Sequence, residues 1–130
     1  MNTKKLALLA LVLLLVALTL AACGGSKQSN FPTGKFIKSG TTDYGLVFNA
    51  DGTFSVFING NVTVVKGTYT VKGDTFTETG NDGGCNSPME FKYTFDGEKL
   101  TFKYAGNAED DRSCGGRYAD FNNVTYTLSK

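Results

Sequence analysis

The residues of this chain whose chemistry stands out are three cysteines, one arginine and a short acidic run: Cys23, Cys85, Cys114, Arg117 and Glu109-Asp110-Asp111. No histidine occurs in the 130 residues, so a thiol has no imidazole to serve as its base or as a metal co-ligand. There is no Gly-x-Ser-x-Gly, no phosphate-cradling loop and no paired-carboxylate motif. The chain does not read as an enzyme, and no cofactor is expected. The three acids could bind calcium together with Asp82. That ion needs several oxygens at fixed spacing, and the EF-type pattern is absent; a solvated loop is the preferred reading, with no metal. Arg117, directly after Gly115-Gly116, is expected to reach over one end of the fold and stack on an aromatic such as Phe36, a structural role preferred to ligand binding.

The setting of Cys23 explains the odd cysteine count. Lys4 and Lys5 precede an uncharged run from Leu6 to Leu20, with small residues after it. Spanning a bilayer takes about 20 apolar residues. A basic start, a short apolar run and small residues at its end predict a secretory signal over 1–22 in preference to a permanent anchor helix. Leu20-Ala21-Ala22-Cys23 resembles the lipobox of bacterial lipoproteins in every position. The resemblance implies that the Cys23 sulfur takes a diacylglycerol, that the signal is cut just before it, and that the new amino terminus is acylated with a fatty acid such as palmitate. Several acyl chains hold a protein stably on a membrane. The expected location is therefore the cell membrane or the outer membrane, with the domain extracytoplasmic. Residues 23–32, rich in Gly, Ser and Asn, predict a short, flexible lipidated tether, which leaves 33–130 as the folded domain close to the membrane.

The 108 residues from Cys23 to Lys130 carry 11 basic and 12 acidic side chains. That length suits one small domain. The near-neutral balance provides no basic stripe for nucleic acid, and none is expected as a partner. With Cys23 set aside, Cys85 and Cys114 remain. In an exported chain a disulfide is their default fate; a metal pair or a catalytic thiol is the alternative.

Period-two alternation runs through the domain. Phe91, Tyr93 and Phe95 alternate with Lys92 and Thr94; Leu100, Phe102 and Tyr104 alternate with Lys99, Thr101 and Lys103. One face is buried and one wet, as in antiparallel sheets. Turn signals at Asn49-Ala50-Asp51-Gly52, Asn59-Gly60, Lys72-Gly73-Asp74 and Asp96-Gly97 separate the runs. Eight strands are predicted, near 34–38, 43–48, 53–58, 62–71, 75–80, 89–95, 99–104 and 123–129, with Gly67 marking a bulge or sharp bend. No stretch of the domain shows a helical period. The fold class is all-β: an eight-stranded antiparallel up-and-down meander that closes into a small barrel. In a meander, alternate connections lie at opposite ends. Cys85 falls in the fifth connection and Cys114 in the seventh, so both belong to one end, within reach of each other. The first strand starts at the other end, so the long loops 81–88 and 105–122 are expected to face away from the membrane.

Gly34-Lys35-Phe36 opening eight alternating strands resembles the calycin group, lipocalins and fatty-acid-binding-like barrels, with Phe36 where lipocalins carry tryptophan. The order Cys85, Pro88, Tyr93, Gly97, Leu100, Thr101, Arg112, Cys114 and Arg117 is similar to small bacterial lipocalin-like domains. Two functions from different classes stay open. In the first, Tyr44, Phe48, Phe54, Tyr69, Tyr93, Phe102 and Tyr126 line a pocket for a small hydrophobic ligand, and the protein is a carrier or sensor. In the second, the aromatics fill the barrel, and the domain is an interaction or inhibitor module of the cell envelope that meets a protein partner through its long loops.

Overall fold

The computed structural model describes residues 30–80, 85 and 87–130; the expected signal, the lipidation site Cys23 and most of the tether lie outside the described residues. Eight strands follow one another: β1 (Gly34–Lys38), β2 (Gly45–Phe48), β3 (Thr53–Ile58), β4 (Val62–Lys72), β5 (Thr75–Gly80), β6 (Met89–Phe95), β7 (Lys99–Tyr104) and β8 (Thr125–Leu128). Each pairs antiparallel with the next, and β8 returns to β1 through Phe36↔Leu128, Ile37↔Thr127 and Lys38↔Tyr126, which closes the barrel. Closure leaves no strand edge exposed.

The alternation decides which side chains enter the barrel. In β6, Met89 and Phe91 are buried while Glu90, Lys92 and Thr94 are exposed; in β7, Leu100 and Phe102 are buried against exposed Lys99 and Lys103. The tight turns use the residues that tolerate left-handed backbone. Asn59 and Gly60 both have positive φ, 50° and 79°, the pattern of a type I′ hairpin, whose twist matches that of its strands.

Gly67 departs from expectation. The register slips between Val56 and Phe57, whose partners are Val65 and Thr63, so Val64 is the extra residue of the bulge. Gly67 itself stays in register with Phe54 and Gly80. A Cβ there would collide with the Phe54 ring and lie 2.7 Å from the Thr79 carbonyl. Glycine is present to admit an aromatic ring, not to bend the strand.

One helix was not foreseen: α1 (Gly115–Phe121), inside the seventh connection. It begins on two glycines, poor helix formers, and Cys114 at its N-cap supplies no side-chain hydrogen bond. Its buried residues are Arg117 and Phe121, one turn apart. Tertiary contacts hold it in place of local propensity. Among the described residues no helix is long and apolar enough to cross a membrane.

Candidate functional site

Two ends and one interior are defined by the meander. The turns at 49–52, 73–74 and 96–98 share an end with the start of β1. The two long connections lie at the other end, where Cys85 and Cys114 form a disulfide with Cα atoms 4.8 Å apart, close enough for the bond. The expected pairing and its place opposite residue 33 are both present.

The interior is filled with rings. Phe48, Phe54, Tyr69, Phe102 and Tyr126 are buried, and Tyr44 and Tyr93 pack half-buried against the same cluster. One of the two open readings had these seven line a pocket; their rings meet each other and other rings, as the other reading requires. Phe48 lies 5.3 Å from Tyr69 and 5.7 Å from Phe76, and Phe76 lies 4.9 Å from Phe102, between centroids. Aromatic pairs in contact have centroids 4.5–7 Å apart, so no ring-sized space separates them. Two side chains plug the ends. Phe121 of α1 enters from the loop end, 5.1 Å from Phe102 and 5.3 Å from Phe91.

Phe31 closes the opposite end and corrects the tether assignment for its last residues. It is 7 % exposed, and its ring stands 5.0–5.3 Å from Tyr93, Phe48, Tyr69 and Phe76. The signal was a large aromatic one residue before Pro32, in an otherwise polar stretch. With no alternating partners to place it on a strand, nothing local marked it as core.

Arg117 lies across the loop end, 2 % exposed, but Phe36 is not the partner that orders it. Phe36 packs edge-on to Phe95, at the tight-turn end. The Arg117 Nε meets Glu78 Oε2 at 2.8 Å. Its Nη1 donates to the Ser87 carbonyl at 2.7 Å, and its Nη2 donates to the Gly80 and Cys85 carbonyls at 2.6 Å each. Five donors in a rigid fork suit a guanidinium to several acceptors at once. Glu78 was missed, although strand parity places it beside Phe76 on the inner face of β5, where it is wholly buried. The disulfide and the Arg117 hydrogen bonds to the Cys85 and Ser87 carbonyls staple the fifth connection to the seventh, and the ion pair ties the seventh to β5.

The acidic run is engaged within its own loop. The Tyr104 hydroxyl donates to Asp111, and Glu109 stands 3.8 Å from Arg112; Asp82 lies outside the described residues. Among the described residues no group of three His, Cys, Asp or Glu side chains is placed to hold a metal ion.

Four tyrosines resist ionisation. Burial, then the Asp120 carboxylate, raises Tyr44; burial, then Asp120 and Tyr44, raises Tyr126, whose hydroxyl donates to the Asp120 carbonyl at 2.6 Å. Burial and Asp51 raise Tyr69, and burial followed by Asp111 pushes Tyr104 up to about 12. A group whose folded pKa exceeds its unfolded value binds its proton more tightly when folded, so stability falls as pH rises above the unfolded value. The contribution of these tyrosines to stability is expected to be level below pH ~10, the ordinary tyrosine value, and to be lost as pH rises above it, through about 12 for Tyr104. A spectrophotometric tyrosinate titration should show the late phenolates appearing together with loss of near-ultraviolet dichroism; ionisation at the ordinary value in a still-folded chain would contradict this.

Among the described residues, three hollows lie on the outer surface. One, of about 500 Å³, lies between β6 and β1 and is lined by Thr94, Thr101 and Thr125 among others. A second, about 410 Å³, lies beside the acidic loop at Asn107 and Asp110. A third, about 100 Å³, lies over Phe57. None of the three is lined by any of the seven aromatics that the ligand-binding reading placed around a cavity. No protein-family model, curated protein or solved structure matches this chain.

Proposed function

We propose that this chain is an exported lipoprotein, anchored through Cys23, whose lipocalin-like barrel is packed solid and acts by its outer surface as an interaction or inhibitor module of the cell envelope. The observation that carries this reading is the interior: Phe31 and Phe121 enter from opposite ends and meet the rings of β2, β5 and β7. A carrier of a small hydrophobic ligand needs the space that those rings occupy, commonly 300–1,000 Å³. The loop end is stiffened by the disulfide and by Arg117, and it presents Tyr118, 46 % exposed with its ring 5.2 Å from Tyr104. Tyrosine is favoured at protein interfaces because it adds contact area with few rotatable bonds.

Two measurements test the proposal. Native mass spectrometry of the gently purified mature chain should return the bare polypeptide plus its acyl groups. One apolar molecule retained per chain would overturn the solid-barrel reading. Cys23→Ser should abolish incorporation of labelled palmitate and move the chain from the membrane to the soluble fraction. A variant that stays membrane-bound would overturn the anchor while leaving the barrel reading intact.

A further inference from the structure

We propose that the free edge of β4 over residues 62–66 is a docking site for an extended segment of another protein, which adds a short strand beside it. The proposal rests on the interaction-module reading and gives it a surface and a partner class. Closure pairs the barrel wall all round, but β4 outruns that wall. Its 11 residues pair with β3 as far as Val62, whereas β5 covers only Gly67 to Lys72. The first five residues of β4 therefore have a neighbour on one side alone, and among the described residues no strand lies on the other.

The phase of the ladder shows which groups are left. The Tyr69 amide donates to the Gly52 carbonyl at 2.7 Å, so the backbone groups of Tyr69 point to β3. Alternate residues of an antiparallel strand point to opposite neighbours. Gly67 and Val65 thus face β3 as well, while Thr70, Thr68 and Lys66 face the β5 side. Gly80, the last residue of β5, stands opposite Gly67, which leaves the Lys66 N–H and C=O beyond its reach. The bulge at Val64 resets the phase. The Asn49 amide donates to the Thr53 carbonyl at 2.9 Å, so Thr53, Ser55 and Phe57 turn to β2. Thr63, opposite Phe57, then turns its own groups away from β3. The N–H and C=O of both Thr63 and Lys66 point outward along one edge, a template for a further strand.

The backbone decides the class of occupant. Unpaired N–H and C=O groups on a strand edge are matched by another extended polypeptide, main chain to main chain. Side chains narrow the choice. Val62 and Val64 are 53 % and 50 % exposed, two of the three exposed large apolar side chains among the described residues, and β-branched or aromatic residues pair well beside them. Lys66 is exposed and has no ion-pair partner among the described residues. A carboxylate directly across from it forms a cross-strand pair of opposite charge. Size argues against a second copy of this chain. Five residues make an edge about 17 Å long, and it buries far less than the roughly 1,200 Å² at which stable protein pairs begin. The occupant is a flexible segment, β-branched and acidic, that binds weakly and transiently.

The test begins with hydrogen exchange of the free mature chain. The Thr63 and Lys66 amides should exchange readily while those of Val65 and Gly67 are protected. Protection of the first pair means that the edge is already covered, and overturns the proposal. The isotopically labelled mature chain is then titrated with the blocked peptide Thr-Val-Glu-Val-Thr-Val, with its Glu-to-Lys form, and with forms whose alternate amides are methylated in either phase. A copy of the edge itself, Val-Thr-Val-Val-Lys, completes the set. The first peptide should shift the Thr63 and Lys66 amides, with a dissociation constant on the order of 1 mM. The Lys form should bind more weakly, and one methylated phase should lose about tenfold, because it lacks the donors on the pairing side. Lys66→Pro removes an outward donor without breaking a bond to β3, suits an edge position, and should abolish the shifts. Equal binding of both methylated phases would overturn backbone pairing, whether or not the proline variant folds. Equal binding of the edge copy would overturn the choice of a different protein as partner. Shifts confined to Tyr118 and the long loops would overturn the edge and leave the interaction-module reading standing.

Discussion

Arg117→Leu is expected to cost about 3–5 kcal/mol of folding stability, the range for breaking a buried ion pair by removing one partner. The guanidinium is 2 % exposed and serves Glu78 and the carbonyls of Gly80, Cys85 and Ser87 at once. Without it, a wholly buried carboxyl is left in the barrel mouth with its guanidinium gone. The double variant Glu78→Leu with Arg117→Leu should recover part of that loss, because replacing both charges by apolar groups is often close to neutral. It should not recover all of it, since three carbonyls still lose their donor, and an unsatisfied buried acceptor costs about 1–3 kcal/mol. Urea unfolding of the single and double variants checks this. A double variant no more stable than Arg117→Leu would sink the ion-pair account, and a single-variant loss below ~1 kcal/mol would remove Arg117 as the staple of the loop end.

Phe31→Ala is expected to cost about 3–5 kcal/mol, the range for truncating a buried phenylalanine. The ring is 7 % exposed and touches Phe48, Tyr69, Phe76, Tyr93 and Phe102. Removing it opens the tight-turn end onto aromatic walls. The variant should therefore keep its strand signature in far-ultraviolet dichroism while gaining affinity for an apolar fluorescent dye that the parent ignores. Phe31→Leu, which keeps much of the apolar volume, should lose less. A dye bound equally by parent and variant would mean that the interior was open before the substitution.

The strands were legible because each has one wet and one dry face. The alternation Phe91-Lys92-Tyr93-Thr94-Phe95 admits only one orientation on a half-buried sheet, and Gly or Asn at the turns supplies the positive φ that a hairpin requires. Six strands begin where the pattern places them and end within one residue of it; β2 and β8 are shorter than expected, Gly45–Phe48 and Thr125–Leu128. The site was less legible. Glu78 could have been found by parity, because a carboxylate two residues after buried Phe76 on one strand must enter the interior. A buried acid requires a buried cation, and Arg117 is the one that meets it.

What the sequence by itself determined is the all-β meander, its closure and the pairing of Cys85 with Cys114, because period-two patterning and connection parity are properties of order along the chain. Helix α1 and the Phe31 plug were decided only by tertiary structure. A seven-residue helix opening on Gly115-Gly116 has no stability alone, since nucleation is costly and short helices are marginal in water. It exists because the disulfide fixes its first turn, Arg117 binds the opposite loop and Phe121 enters the core. Phe31 belongs to no repeating pattern, and its place was set by an opening that only the closed barrel creates. The same closure decided between a pocket and a packed core: the number and size of the inward rings can be read along the chain, but the volume they must fill is a property of the barrel.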